Sequence, residues 1–560
     1  MNPRGLPALV GAALFVACGG DPPPAPGPTL DLFAPPSCAP NEAALRDERG
    51  EPRCLRAGAV TTAAAGEFPS AVGAMAPVVY VRAGAAGGDG SLTRPFGDVA
   101  AALDAGAATV LLSRGAHALA APIALTRSID LRGAGAGDGG TRLDAAAAGA
   151  ITVRAPGGAP VTVTLGGLSI RGGAVGVDVA DTGADVTLRD VAITGASLGL
   201  RVDGGASLRG EGVTVESASR RGVEATDGAS ITLRDARVTG GGGDGVWAER
   251  ASVDLARVLV ADNARDGVVL LGPTPDGGAC ADDLACAALP AAPARACLAG
   301  RSVRVHELAE VSVLRNGVTG VRAEAGAFVR AARILVADTR VPAGAVGGDG
   351  LYVAGGARVC VDPDVASDAR RGRGSAFLRN ARAGLLADGG SPLPAGRLGT
   401  RLDVAGALLG SNRGPGAFVQ NGALADRLAF STASDNAAIG VGATRGGRLA
   451  LLLCDQMLYT RAGVLATAGA PVMLGDGLTL ADADLGAEPT VLMQSELSNN
   501  SRFGLVAHQA SLRATGSRGE GNGFGVGAYG GATVEGAATV LGRAPTPAVA
   551  AAFRGDLPAR

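Results

Sequence analysis

Residues 176–190 contain two short phrases, Gly176-Val177-Asp178-Val179 and Val186-Thr187-Leu188-Arg189-Asp190, and both recur along the chain. The first returns as Gly199-Leu200-Arg201-Val202, Gly222-Val223-Glu224-Ala225 and Gly245-Val246-Trp247-Ala248, and then at Gly267, so that successive glycines lie 23, 23, 23 and 22 residues apart. After each glycine an apolar, a variable and an apolar residue follow, the period-two alternation of a strand with one face turned inward. The second phrase returns as Ile231-Thr232-Leu233-Arg234-Asp235 and Val253-Asp254-Leu255-Ala256-Arg257. Two or three short strands joined by turns within about 22 residues cannot bury an inner face alone, so each unit must stack on its neighbours as one coil of a solenoid. The LxxLxL signature and a 3.6-residue period are both absent, which sets leucine-rich and helical repeats aside.

The glycine phrase continues at Gly320, Gly350, Gly384, Gly416, Gly440, Gly463, Gly504 and Gly525. At one coil per ~4.8 Å strand spacing, these glycines describe a rod of roughly 60 Å. Wider spacings mark inserted loops near Pro273 to Gly300, Pro342 to Gly348, Cys360 to Gly374, Gly389 to Gly399 and Thr467 to Glu488. Asn stands four residues before several of the glycines, at Asn263, Asn316, Asn380, Asn412, Asn436 and Asn500. At a repeated turn Asn tolerates the left-handed conformation and hydrogen-bonds its neighbours in a stacked ladder.

Composition agrees with an elongated array. The chain has 560 residues with 90 Gly and 3% aromatic residues, too few large side chains for several wide cores, while 47% hydrophobic residues exclude wholesale disorder. All 50 basic residues are Arg, and the formal net charge is -2. That balance gives no reason to expect a nucleic-acid partner.

The N-terminus reads as an export address. Arg4 precedes an apolar run from Gly5 to Ala17, too short to span a bilayer as a helix. It ends in Phe15-Val16-Ala17-Cys18, which resembles the bacterial lipobox, with Phe15 a departure from the usual Leu. The resemblance implies a signal peptide over 1–17, acylation of Cys18 and a membrane partner through that lipid anchor, with the outer membrane as the expected address. An ordinary secretory signal is the alternative. Residues 18–36 form a Pro-rich linker, 37–77 a small Cys-containing segment, 78–538 the solenoid with its cap, and 539–560 a tail. Cys38 and Cys54 flank a polar segment that a disulfide would close. Cys280, Cys286 and Cys297 cluster in one insert without a CxxC or a companion His, so no metal site is expected there, and Cys360 and Cys454 stand alone.

From Val78 a family resemblance emerges. Val79-Tyr80-Val81, Gly87-Gly88-Asp89-Gly90-Ser91, Arg94-Pro95-Phe96 and the apolar-periodic Val99 to Leu103 resemble the opening of exported bacterial proteins with a right-handed parallel β-helix, the pectate-lyase-like superfamily. The resemblance implies a short helix capping the first coil, with Asp98 at its start and Gly106 at its end, and first rungs at Thr109 to Ser113 and Ser128 to Arg132. It also implies that an outward sheet face is where acids, bases and sometimes calcium would meet a polysaccharide. His117, His306 and His508 lack the Gly-His-Gly setting of the polygalacturonase-like hydrolases, and a lysine base is excluded by the absence of Lys. Elimination by an Arg base with Asp-bound calcium stays open at Arg189-Asp190 and Arg234-Asp235, against a plain surface ladder of opposite charges. Asp362, Asp364 and Asp368 are a second possible calcium set, against a solvated acidic loop. The Gly-Gly-Asp-Gly tracts at Gly87, Gly242 and Gly347 read as turns.

The middle residue of each triplet points outward. Along the coils it runs Asp178, Arg201, Glu224, Trp247, Val269, Arg322, Tyr352, Leu386, Phe418, Gly442, Leu465, Val506 and Gly527, turning from charged to apolar. Trp247, Tyr352 and Phe418 are therefore candidates for stacking on sugar rings or meeting a protein partner, unless the inserted loops fold over them as a second small core. Arg370, Arg371 and Arg373, with Arg379 and Arg382, form the densest basic stretch, either a contact for anionic glycan or lipid phosphate or a salt-paired loop. The expected function is a non-catalytic envelope scaffold that binds glycan or a protein. A polysaccharide lyase or glycoside hydrolase acting on an acidic polysaccharide is the alternative, and calcium is the cofactor it would take.

Overall fold

The computed structural model describes residues 38–543 apart from short gaps, the longest being 47–51, 60–65, 280–294, 342–346, 363–373, 391–398, 459–475 and 482–489. The body is a right-handed parallel β-helix in which each coil contributes to three sheets. In the first sheet the residue after the repeat glycine forms one column in register, Val177, Leu200, Val223, Val246, Val268, Val321, Leu351, Leu385, Ala417, Val441, Leu478 and Leu505, each paired in parallel with the next. The second sheet stacks Leu165, Leu188, Gly210, Leu233, Leu255 and Leu308, and the third stacks Ile170, Ile193, Val215, Val238, Val260, Val313, Val336 and Phe377. These columns meet in one continuous core running the length of the rod.

The repeat glycine is required by close approach rather than by a left-handed backbone. A Cβ on Gly176, Gly199, Gly222, Gly245 or Gly267 would stand 2.5 to 2.7 Å from the carbonyl oxygen of the equivalent glycine one coil on. No side chain fits there. Register also moves one expected rung: Ile439–Thr444 pairs with Asp476–Ala481, which puts Gly477 in the glycine row and Thr479 in register with Gly442. The similar phrase at Gly463 and Leu465 lies outside the described residues.

The corners carry the strain of the fold. Strands such as Ala184–Thr194 and Ser230–Thr239 pass from the second sheet into the third through one residue with positive φ: Gly167, Asp190, Gly212, Asp235, Arg257, Glu310 and Arg333 in successive coils. Non-glycine residues in this region are costly, and here most are charged with opposite signs on neighbouring coils. Arg257 meets Asp235 at 2.6 Å, Arg333 meets Glu310 at 2.8 Å, and Arg56 pairs with Asp190. Asp190 and Asp235 are thus corner residues paired with arginine, as in the ladder of opposite charges set against the calcium and base reading. Asp362 is likewise a positive-φ corner residue and accepts a hydrogen bond from the Arg333 amide at 2.8 Å. Asp364 and Asp368 lie outside the described residues.

At the corner from the third sheet to the first, the positive-φ residues run Asp262, Arg315, Asp338, Arg379, paired at 2.6 Å between Arg315 and Asp262 and 2.8 Å between Arg379 and Asp338. The asparagine ladder comes one residue later. Asn263 Nδ2 donates to Asn316 Oδ1 at 2.9 Å, Asn380 Nδ2 to Asn412 Oδ1 at 3.0 Å, Asn412 Nδ2 to Asn436 Oδ1 at 2.9 Å and Asn500 Nδ2 to Asn522 Oδ1 at 2.9 Å. The left-handed backbone expected of these Asn residues falls, for Asn263, Asn316, Asn380 and Asn412, on their predecessors Asp262, Arg315, Arg379 and Ser411. The Asn side chains instead occupy the interior and satisfy buried carbonyls such as Phe377 O.

The N-terminal end is closed by α1 (Val99–Asp104), whose first turn is capped by the Asp98 side chain accepting from the Ala101 amide at 2.8 Å. The Cys38–Cys54 disulfide joins the start of an antiparallel hairpin, Glu42–Arg46 with Pro52–Arg56, to its second strand. This hairpin lies on the outer face of the third sheet. Leu45 and Ala43 pack on Leu259, Leu314, Leu335 and Leu378, and Arg237 donates to Glu42 O at 2.7 Å. The first insert contributes a small antiparallel sheet of Thr274–Ala279, Arg301–Arg304 and Arg295–Leu298. Cys360, expected to stand alone, is disulfide-bonded.

Replacing Asn412 by Ala removes both side-chain bonds to its ladder neighbours and orphans Phe377 O, an expected loss of about 2–4 kcal/mol, read as faster amide exchange in the coils on either side. A second expectation concerns His306, fully buried, whose pKa burial lowers from the ordinary 6.5 to about 4. The unfolded chain then takes up a proton that the native ring refuses, so stability falls as pH drops from 6.5 towards 4, by up to about 3 kcal/mol. His306→Leu should flatten that acid limb in urea titrations.

Candidate functional site

The outward column of the first sheet divides into two halves. In the second half, Tyr352, Leu386 and Phe418 stack in register and are each only 5% exposed. They join Ala354, Ala383, Ile439, Phe503 and Val506 in a satellite core, beside which the Phe503 and Phe524 rings lie 5.0 Å apart. Tyr352 and Phe418 are therefore corrected from open binding residues to buried packing residues. Consecutive apolar side chains on one face remove more surface from water when covered than when left bare. Of the basic stretch, Arg370, Arg371 and Arg373 lie outside the described residues, while Arg379 and Arg382 are paired with Asp338 and Asp349.

In the first half Trp247 is half-buried, while Asp178, Glu224 and Val269 of the same column are buried. Glu224 and Val269 flank it in the column on the preceding and following coils. The Arg221 guanidinium lies 3.9 Å from the centroid of the indole ring and also reaches Glu224 at 2.5 Å and Asp244 at 3.6 Å. One cation thereby stacks on the ring and joins two carboxylates. Arg220 approaches Glu224 at 3.5 Å and Arg265 approaches Asp244 at 3.7 Å. One coil further, Arg322 bridges Asp266 at 3.1 Å and Glu324 at 3.2 Å, while on the other side Arg154 holds Asp178 at 2.5 Å.

Exposure is unequal within these pairs. The side chains of Arg220 and Arg265 are 60% and 61% exposed, whereas that of Asp244 is 3% exposed. Carboxylates form the buried base of the face, and guanidinium groups and one indole form its outer layer. Asp244 and Asp266 are adjacent, the Asp266 amide donating to Asp244 Oδ1 at 3.2 Å. Burial raises the pKa of Asp266; the Arg322 charge opposes this, and neighbouring Asp244 adds to it. Asp266 Oδ1 has no hydrogen-bond partner among the described residues.

The outward position of Trp247 was legible from its place in the triplet. Arg221, Asp244, Arg265 and Asp266 were not singled out, although three of them stand directly before repeat glycines, where the start of a first-sheet strand turns them towards the same face. His117 is buried, with Nε2 3.0 Å from Ser113 O, and burial lowers its pKa. Among the described residues no group of three or more His, Cys, Asp or Glu side chains is placed to hold a metal ion.

No protein-family model and no curated protein matches the chain. Solved structures resemble it in fold. The catalytic unit of the GH87 α-1,3-glucanase of Streptomyces thermodiastaticus is 12% identical with a TM-score of 0.35, over 66% of this chain and 61% of that one. The A-module of the mannuronan C-5 epimerase AlgE4 of Azotobacter vinelandii is 14% identical with a TM-score of 0.29, over 79% and 94%. The periplasmic alginate epimerase AlgG is 9% identical with a TM-score of 0.28, over 74% and 78%. The chain thus spans about three-fifths of the glucanase unit, and at these identities the likeness is one of fold.

Proposed function

We propose that the protein is a non-catalytic β-helix scaffold of the cell envelope that recognises glycan through the face around Trp247, and that acyl chains on Cys18 hold it to a membrane, the outer one in a two-membrane envelope. The observation that carries the glycan reading is the half-buried indole, framed by outward guanidinium groups above a layer of carboxylates. A pyranose ring offers a C–H face for an aromatic ring and hydroxyls for planar polar side chains. A protein partner is less well served. With Tyr352 and Phe418 buried, the continuous apolar patch that a protein interface draws on is gone.

A polysaccharide lyase or glycoside hydrolase is the second reading, favoured by one observation: Asp266 is a carboxyl whose pKa is raised beside a second carboxyl, the kind of environment that supplies a general acid. Its burial to 1% exposure weighs against contact with a substrate.

Trp247 is the only tryptophan of the chain, so intrinsic fluorescence reports on this face alone. Screening the full chain, made soluble by Cys18→Ser, on a glycan array is expected to find a ligand that shifts tryptophan emission saturably. Trp247→Ala should then weaken binding about tenfold or more. An array without hits removes the glycan reading, and release of unsaturated or reducing ends, abolished in Asp266→Asn, replaces it with the enzymatic one. For the anchor, the wild-type chain should fractionate with membranes and incorporate labelled palmitate, and Cys18→Ser should do neither.

A further inference from the structure

In consecutive coils the residue directly before the repeat glycine forms one column, Arg221, Asp244, Asp266, Thr319, Asp349 and Ala383. Asp244, Asp266 and Asp349 are all buried, and they are not held alike. Asp349 is the satisfied case. Arg382 grips both of its carboxylate oxygens as a fork, and the Ala383 amide donates to Oδ1 at 3.2 Å. Such a fork offsets the loss of water around one buried charge.

Asp244 and Asp266 stand on adjacent coils, and there two buried carboxyl groups draw on weaker partners. Asp244 accepts from the Asp266 amide at 3.2 Å, while its arginines stay further off, Arg221 Nε at 3.6 Å and Arg265 Nε at 3.7 Å. Arg322 reaches Asp266 Oδ2 at 3.1 Å and leaves Oδ1 without a hydrogen-bond partner among the described residues. A buried acceptor with no donor is costly. A proton on that oxygen removes the cost, because it turns the oxygen into a donor beside a second carboxylate.

The arginines have other commitments. Arg221 is stacked on Trp247 at 3.9 Å from the ring centroid and reaches Glu224 at 2.5 Å, and Arg322 has Glu324 at 3.2 Å. Arg265 is exposed and has no ion pair except Asp244 among the described residues. The groups facing the two aspartates are therefore Arg220, Arg221 and Glu224 from the preceding coil and Arg265 beside Asp266 itself. From the other side come Thr319, Arg322 and Glu324, with the Asp349–Arg382 pair beyond them. Burial raises the pKa of Asp266 above the ordinary 3.8; Arg322 opposes this, Asp244 adds to it, and the Thr319 amide and hydroxyl oppose it.

We propose that Asp244 and Asp266 form an acid-responsive latch beneath the Trp247 face: on acidification Asp266 takes up one proton, donates it in a hydrogen bond to Asp244, and frees Arg265 and Arg322 from the carboxyl layer. Arg220, Arg221, Arg265 and Arg322 balance Glu224, Asp244, Asp266 and Glu324, so the proton leaves the face with one positive charge in excess beside the indole. For its ligand this regulation rests on the glycan reading of the face; for its proton it rests on the two aspartates alone.

The test follows emission from the only tryptophan of the full-length Cys18→Ser chain, without ligand, as pH falls from neutrality to the ordinary aspartate value of 3.8. Expected is a one-proton transition centred above that value, with quenching by iodide, an anion, about twofold better below the transition and quenching by neutral acrylamide unchanged. Asp266→Asn should abolish the transition, and Glu224→Gln should keep it. Asp244→Asn, which deletes the like charge, should shift the midpoint down. Circular dichroism should stay that of the parent throughout; should Asp266→Asn fail to fold, the iodide series in the parent chain and the Asp244→Asn shift decide. The proposal is overturned if emission and iodide quenching are flat, if the transition persists in Asp266→Asn or is lost in Glu224→Gln, or if Asp244→Asn leaves the midpoint in place. None of these readouts involves a sugar, so a glycan array without hits overturns the glycan reading and a flat titration overturns the latch.

Discussion

Coils of this protein approach so closely at the start of each first-sheet strand that a single carbon atom would collide with the backbone of the next coil. A Cβ at Gly222 would meet the Gly245 carbonyl oxygen at 2.7 Å and a Val238 methyl at 2.3 Å. The row of glycines is therefore the seam on which the stack closes. Once it is in place, every other position of the repeat is forced into a column with its equivalents, one strand spacing apart. Like residues are brought onto like residues for the whole length of the rod.

Columns of this kind reward apolar side chains inside and penalise identical charges outside. The corners show the outcome. Asp262, Arg315, Asp338 and Arg379 alternate in sign through successive coils, as do Asp235, Arg257, Glu310 and Arg333. Each residue adopts a backbone conformation that glycine would take more easily, and each has an opposite charge beside it. Exposed pairs of this type contribute little singly. Their alternation nevertheless disfavours a slip of one coil, which would set Asp on Asp. Inside, the asparagine ladder serves a similar end, joining amide to amide between coils while satisfying carbonyls that the turns leave over.

The same stacking decides which surfaces are left for function. Three large apolar residues in consecutive coils of one column, Tyr352, Leu386 and Phe418, form a satellite core, whereas Trp247, bordered by Glu224 and Val269, keeps part of its ring in solvent under an arginine. On the third sheet an apolar stripe is covered by the disulfide-linked hairpin, and a polar stripe precedes it in the earlier coils. A β-helix thus presents long faces whose character changes where the outward residues change, and its candidate sites lie at those changes.

Much of the fold was readable from residues alone. The glycine phrase, its period near 23, the inward triplets, the Asp98 cap, the Cys38–Cys54 pair and the stacking asparagines are local patterns, and local patterns survive in sequence because every coil must repeat them. Trp247 was readable as outward for the same reason. What no repeat could show was decided by packing between distant segments: which of two similar phrases takes the rung after Gly440, that Asp190 and Asp235 are strained corners held by arginine, that Tyr352 and Phe418 are covered, and that residues 42–59 lie across the third sheet. Parity of position tells which way a side chain points. Whether water or another part of the chain lies beyond it depends on contacts separated by up to hundreds of residues, as between Ala44 and Ser312, and those exist only once the coils have stacked.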